Sequence, residues 1–168
     1  IMALAVARVS GAHRIIAADL HGYRLELAER YGADLCIDAI PGDVVNEVMR
    51  ATNGRGADIV IEATSSPEAP GQAAQIAAPG GTIALIGITD EESVALPSHE
   101  ARRKGLTLRW VRRSRNAVHA AMALAASGRV PLDGLVTHHF ALADVQRGFE
   151  LVEAYRDDVF KAVVNPNE

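Results

Sequence analysis

The sequence predicts an α/β fold, a doubly wound parallel sheet covered by helices on both faces. Two observations carry this. Short β-branched or apolar runs alternate with longer helical patterns from the first residue to about residue 127. The strand-like runs are also continuously apolar, as in Ile83-Ala84-Leu85-Ile86, which marks strands buried on both faces. The 168 residues show no internal repeat, low-complexity tract or Pro/Ser-rich linker, so one domain is the simplest count.

Each element has a local reason. Residues 1–10 form an apolar helical pattern, stopped by Gly11. Ile15-Ile16-Ala17-Ala18 is a buried strand ending at Asp19. Residues 22–31 are helical, with Leu25, Ala28 and Tyr31 at spacing three and Leu27 beside them. Leu35-Cys36-Ile37 is a short strand, and Asp43 can cap a helix from Val44 to about Thr52. Val45, Val48 and Met49 make that helix's buried stripe. Residues 58–63 are the next strand. A helix is expected from Ser66-Pro67 to about Ala78, closed by Pro79-Gly80-Gly81, before a strand at 82–86. After a less regular stretch come a strand at 106–111 and a helix over 115–127. The remainder reads as an extended segment at 136–140, a helix over 142–156 and a closing strand at 159–164.

Composition removes several classes of function. Hydrophobic residues make up 49% and charged residues 23%, as in a globular chain, and no apolar run is long enough to span a membrane as a helix. The net charge of −4 gives no general attraction to nucleic acid or anionic lipid, and 4% aromatics leave few surfaces for base stacking. A single cysteine, Cys36, excludes an internal disulfide and a cysteine-built zinc site within one chain. It lies in a strand expected to be buried and is read as inert. His138 and His139 are adjacent and would face opposite sides of a strand, so they read as structural. Neither a G-x-S-x-G elbow nor a P-loop is present. The expected setting is the cytoplasm.

In a doubly wound sheet, ligands bind at the carboxyl ends of the strands. Those ends carry Asp19, Ala63-Thr64-Ser65, Gly87-Ile88-Thr89 and Val111-Arg112-Arg113. Asp19 could accept hydrogen bonds from adenosine ribose hydroxyls while its charge repels a 2′-phosphate, or it could cap the helix at 22–31. Arg24 stands near it, as a ligand contact or as a solvated helix arginine. Gly87 is either a close backbone approach to a ligand or an ordinary turn. Arg112, Arg113 and Arg115 form a cationic cluster past a strand end. A glycine fingerprint would lie about 20 residues before Asp19, ahead of the first residue of this sequence. The chain also opens on Ile1 inside a helical pattern. It is therefore expected to be a piece of a longer protein, lacking the first strand and glycine loop of a Rossmann dinucleotide-binding fold.

The stretches IIAADLHGYRLELAERYGADLCIDA (15–39), GRGADIVIEATSS (54–66) and APGGTIALIGI (78–88) closely resemble the cofactor domain of zinc-dependent medium-chain alcohol and polyol dehydrogenases. The match continues through residues 112–142, leans toward the sorbitol, xylitol and threonine dehydrogenase branch, and covers essentially the whole chain. The resemblance implies an NAD-dependent oxidoreductase that transfers a hydride between an alcohol or polyol and NAD. It implies that Asp19 and Arg24 hold the adenosine end, and that Ala63, Thr64, Ile86, Gly87, Ile88, Val111, Arg112 and Arg113 line the rest of the cofactor. Arg113 matches an arginine near the nicotinamide in polyol dehydrogenases; the family's usual tyrosine after it is Ser114 here, which departs from the polyol pattern.

The resemblance places the catalytic zinc and proton relay in a preceding domain, so no catalytic or metal residue is assigned in this chain. Residues 1–168 are then a dinucleotide-binding domain truncated at its start, with 136–168 returning toward the absent catalytic domain. Such a chain alone is expected to be inactive. Because the lost first strand would be central, the strands at 15–18 and 59–63 are expected to lack a neighbour between them, leaving a 1–168 polypeptide poorly stable. The strand at 106–111 would be an outer edge, paired across a two-fold axis in a homodimer or homotetramer. Two other readings stand beside this one: an NADPH-dependent quinone or enone reductase of the same fold, disfavoured by Asp19, and a non-catalytic cofactor-binding or oligomerisation module.

Overall fold

A computed structural model gives the fold and describes residues 1–40, 43–113 and 115–167. The order runs α1 (Met2–Val9), β1 (Ile16–Asp19), α2 (Gly22–Arg30), β2 (Leu35–Asp38), α3 (Val44–Ala51), β3 (Ala57–Glu62) and α4 (Ala69–Ile76). It continues with β4 (Ala77–Leu85), α5 (Ser98–Lys104), β5 (Thr107–Trp110), α6 (Val118–Ala126) and β6 (His138–Ala141). A 3-10 turn at Leu142–Asp144 leads into α7 (Val145–Glu153), and β7 (Ala162–Asn165) follows. β1 pairs with β2, β3–β4–β5 form a second sheet in that order, and β6 pairs with β7. Every one of these pairings is parallel, as strands joined by helical crossovers must be. β1 and β3 are not paired with each other, and each stands at an edge of its own sheet.

Several boundaries move for physical reasons. Helix α4 starts at Ala69, with Pro70 in its first turn, because Ser66 and Glu68 are engaged in a local turn. Strand β4 begins at Ala77 and runs through the Pro79-Gly80-Gly81 stretch that the sequence assigned to a loop. Ala57 pairs with Ala77, and a register shift then brings Ile59 opposite Thr82. Glycine is required at this irregularity: a Cβ on Gly56 would lie 2.5 Å from the Ile76 carbonyl oxygen. The seven-residue helix α5 falls in the stretch that looked irregular. It has no buried residue, hence no stripe to read, and it ends on left-handed Gly105. The later helices and the closing strand are shorter than expected, and the segment over 142–156 splits into a 3-10 turn and α7. Asp43 does cap α3, accepting from the Asn46 N–H at 3.1 Å.

Two apolar clusters hold the chain. One contains Val60, Ala73, Ala74, Ala77, Ile83 and Leu85, with α4 packed on one face of the β3–β4–β5 sheet. The other joins Ala5, Leu27, Tyr31 and Val130, with Leu124, Leu135 and Phe160 against them. Arg8 stitches this second cluster's periphery. It donates to the Gly32 and Ala12 carbonyls and pairs with Asp34, whose carboxylate also accepts from the Ile15 N–H at 2.7 Å. Cys36 is half-buried rather than buried; burial first, and the Glu29 carboxylate second, push its thiol pKa up, which keeps it protonated. No helix among the described residues is long and apolar enough to cross a membrane.

Candidate functional site

Asp19 is the last residue of β1, so the end of the strand aims its backbone into the turn before α2. It does not occupy the helix N-cap, which is His21; instead its Oδ1 accepts the His21 N–H at 3.1 Å. Its Oδ2 faces Arg24 Nη1 at 3.8 Å, an ion pair too long to be a hydrogen bond. About a third of each side chain remains open to solvent. The turn after β1 thus holds a partly open carboxylate and a guanidinium together.

The Arg24 side chain is fixed by partners that the sequence did not suggest. Its Nε donates to the Tyr23 hydroxyl at 3.1 Å, and that hydroxyl donates to the Val159 carbonyl at 2.9 Å. The guanidinium lies 5.6 Å from the Tyr23 ring centre and 5.2 Å from that of Tyr155. The Tyr155 ring stacks on His21 at 5.0 Å. Residues from the end of the chain are therefore built into the surroundings of Asp19, a contact no local pattern encodes.

The second group of strand ends is locked by one buried carboxylate. Glu62, only 7% exposed, accepts from the Thr64 N–H at 2.7 Å and the Thr64 hydroxyl at 2.9 Å through the same oxygen. Its backbone carbonyl accepts from the Ile86 and Gly87 N–H groups at 2.8 and 3.2 Å. A Cβ on Gly87 would lie 2.0 Å from the Thr64 carbonyl oxygen and 2.6 Å from a Glu62 carboxylate oxygen. Gly87 is thus a close approach, but to the chain's own backbone. A cavity of about 30 Å³, on the scale of one or two waters, is lined by Glu62, Thr64, Gly87, Thr89 and Trp110 among others.

The structure brings Thr64 and Gly87 together, and separately Asp19 and Arg24. Ala63, Ile86 and Ile88 present exposed surfaces beside the first of these pairs. Val111 continues the ladder, its N–H donating to the Leu85 carbonyl at 3.0 Å, and Arg112, Arg113 and Arg115 are exposed beyond it. Ser114 lies outside the described residues. Among the described residues no group of three or more His, Cys, Asp or Glu could hold a metal ion. Glu62, His21, Tyr23 and Tyr155 were missed. A charged residue ending an apolar strand was the one available sign for Glu62.

A family model described as zinc-binding dehydrogenase matches residues 1–127. An alcohol dehydrogenase of Cupriavidus necator is 34% identical over 168 residues, covering 98% of this chain and 46% of the relative. An L-threonine 3-dehydrogenase of Bacillus licheniformis is 33% identical over 154 residues, covering 90% of this chain and 44% of the relative. Among solved structures, the alcohol dehydrogenase TADH from Thermus sp. ATN1 superposes with a TM-score of 0.88 at 33% identity, over 96% of this chain and 46% of that one. The chain spans a little under half the length of these relatives. With a parallel α/β fold, an acidic residue closing β1 and a family match over most of its length, this chain belongs to the zinc-binding dehydrogenase family.

Proposed function

We propose that this chain is the dinucleotide-binding part of an oxidoreductase that exchanges a hydride between an alcohol or polyol carbon and NAD, in a cytoplasmic enzyme. The observation that carries the reading is the Asp19 carboxylate at the end of β1, one oxygen engaged by its own turn and about a third of the side chain open to solvent, beside Arg24. That donor set fits the cofactor. A carboxylate accepts the two vicinal ribose hydroxyls, and its charge opposes a phosphate in place of the 2′-hydroxyl. When bound, NAD supplies the hydride acceptor. Asp19 and Arg24 hold the adenosine end; Thr64, Ile86, Gly87 and Ile88 line its course, fixed in place by Glu62; Val111, Arg112 and Arg113 stand toward the far end.

The family assigns the zinc ligands to a segment outside this chain, and on this reading the chain alone is inactive. Residues 136–168, which form the separate β6–β7 pair with α7, return toward that segment. Strand β5 is an open edge carrying Trp110 at 70% exposure, and it pairs two copies into a dimer or tetramer. Light scattering checks this: Trp110→Lys shifts the protein toward monomer, and an unchanged mass sinks the interface.

The test of the cofactor reading is a titration of the protein, expressed as its gene encodes it, with NAD and with NADP. The wild type binds NAD more tightly. Asp19→Ala weakens NAD by about tenfold, corresponding to the loss of one charged hydrogen-bond acceptor. Equal binding of both cofactors by the wild type, with no effect of Asp19→Ala, overturns it.

A further inference from the structure

Tyr155 stands in an unfavourable place. It follows the C-cap of α7 with φ at +49°, in the left-handed region that glycine fills at such helix ends and that a bulky side chain rarely adopts. Something outside α7 must hold it there. Its ring stacks on His21 at 5.0 Å with the planes 17° apart, and its face lies 5.2 Å from the Arg24 guanidinium. The same stretch of chain is tied down a second time, where the Tyr23 hydroxyl donates to the buried Val159 carbonyl. Tyr23 and Tyr155 thus both bear on Arg24, with Asp19 Oδ2 at 3.8 Å from it.

We infer that Tyr155 is a positioning residue for cofactor choice: it holds the Arg24 guanidinium beside Asp19, so that the pair recognises a ribose with a free 2′-hydroxyl. The inference rests on the cofactor reading above and deepens it. An arginine on a flexible stem is a good bidentate partner for phosphate. Left free, Arg24 could turn from Asp19 toward a 2′-phosphate and offset the repulsion that Asp19 exerts. Held by the two tyrosines, it stays with the carboxylate, keeps that carboxylate oriented, and leaves a 2′-phosphate facing Asp19. A ring–guanidinium contact at a half-exposed site has the strength to shift such a balance severalfold.

The experiment uses the protein as its gene encodes it, and measures NAD affinity, NADP affinity and the melting temperature separately. Tyr155→Gly relieves the left-handed backbone while removing the ring. The melting temperature is expected to hold or rise, while the ratio of NAD to NADP affinity falls about fivefold. Tyr155→Phe keeps the ring and is expected to keep the ratio. Should Tyr155→Gly not fold, Tyr155→Asn, which also tolerates the left-handed region, carries the same test. A Gly or Asn variant with the wild-type ratio, or one in which both cofactors weaken in parallel, overturns the inference and leaves the cofactor reading standing. A wild-type protein that binds neither dinucleotide removes both.

Discussion

The two halves of the candidate site are assembled by different means. Around Thr64 and Gly87, every structural partner comes from one continuous stretch: β3, α4, β4 and β5 span residues 57–110, and their core is drawn from within it. Around Asp19 and Arg24, the supports are brought from far apart. Tyr155 and Val159 reach α2 from the end of the chain, and the underlying cluster joins Ala5 and Leu27 to Val130 and Phe160. A site built from local contacts is rigid as soon as its sheet forms. One closed by distant segments depends on the ordering of those segments, and it can be tuned by residues that no neighbouring motif reveals.

The local half should break most severely. In Gly87→Ala the added methyl would sit 2.0 Å from the Thr64 carbonyl oxygen, which is backbone, and 2.6 Å from the end of the Glu62 side chain, which is buried and tied to Thr64. Backbone must move, and with it the hydrogen bonds from Ile86, Gly87 and Thr64 to Glu62. A loss of about 4 kcal/mol is expected. Urea unfolding measures it, and a loss below about 1 kcal/mol would show that the strand ends are looser than the hydrogen bonds imply.

In the assembled half, Leu27→Ala removes one of four buried members from the cluster that unites α1, α2 and the segment around Val130. About 3 kcal/mol is expected, somewhat less than for Gly87→Ala because long side chains around the cavity can close in. The distinguishing readout is where the damage falls. Amide exchange should quicken in β1, β2 and the Tyr155–Val159 stretch while β4, with Ile83 fully buried, keeps its protection. Equal acceleration in both sheets would mean that the halves unfold as one unit.

The same contrast explains what the sequence made legible. Apolar runs and punctuating glycines mark the parallel strands, because burial on both faces forces the composition of every position. Asp19 was legible as a candidate because a charged residue ending such a run needs a reason, and Arg24 as its neighbour because it follows within a helical turn. Strand β4 was placed five residues late, since Pro79-Gly80-Gly81 reads as a turn unless the bulge against Ala57 is known. Helix α5 was invisible because it has no buried face. Tyr155 could not be found at all. Its meaning lies in a contact across more than a hundred residues, and nothing in its own neighbourhood distinguishes it from a surface tyrosine.

The smallest expected effect concerns the joint that holds α1 to β1 and β2. The Asp34 carboxylate accepts from the Ile15 N–H and pairs with Arg8, and these two hydrogen bonds hold its pKa below the ordinary aspartate value. A carboxyl whose pKa is depressed on folding stabilises the fold at pH values above its unfolded pKa. That contribution is lost as pH falls through the ordinary aspartate range toward the lower folded value. Asp34→Asn should therefore lower the melting temperature slightly at pH 7, and the difference from wild type should shrink steadily as the pH is taken below about 4. Because the side chain is 41% exposed, added salt should shrink the difference too. A gap between the two proteins that stayed constant from pH 7 to pH 3 would show that Asp34 acts through shape, not charge, and that Arg8 holds this joint through the Gly32 and Ala12 carbonyls alone.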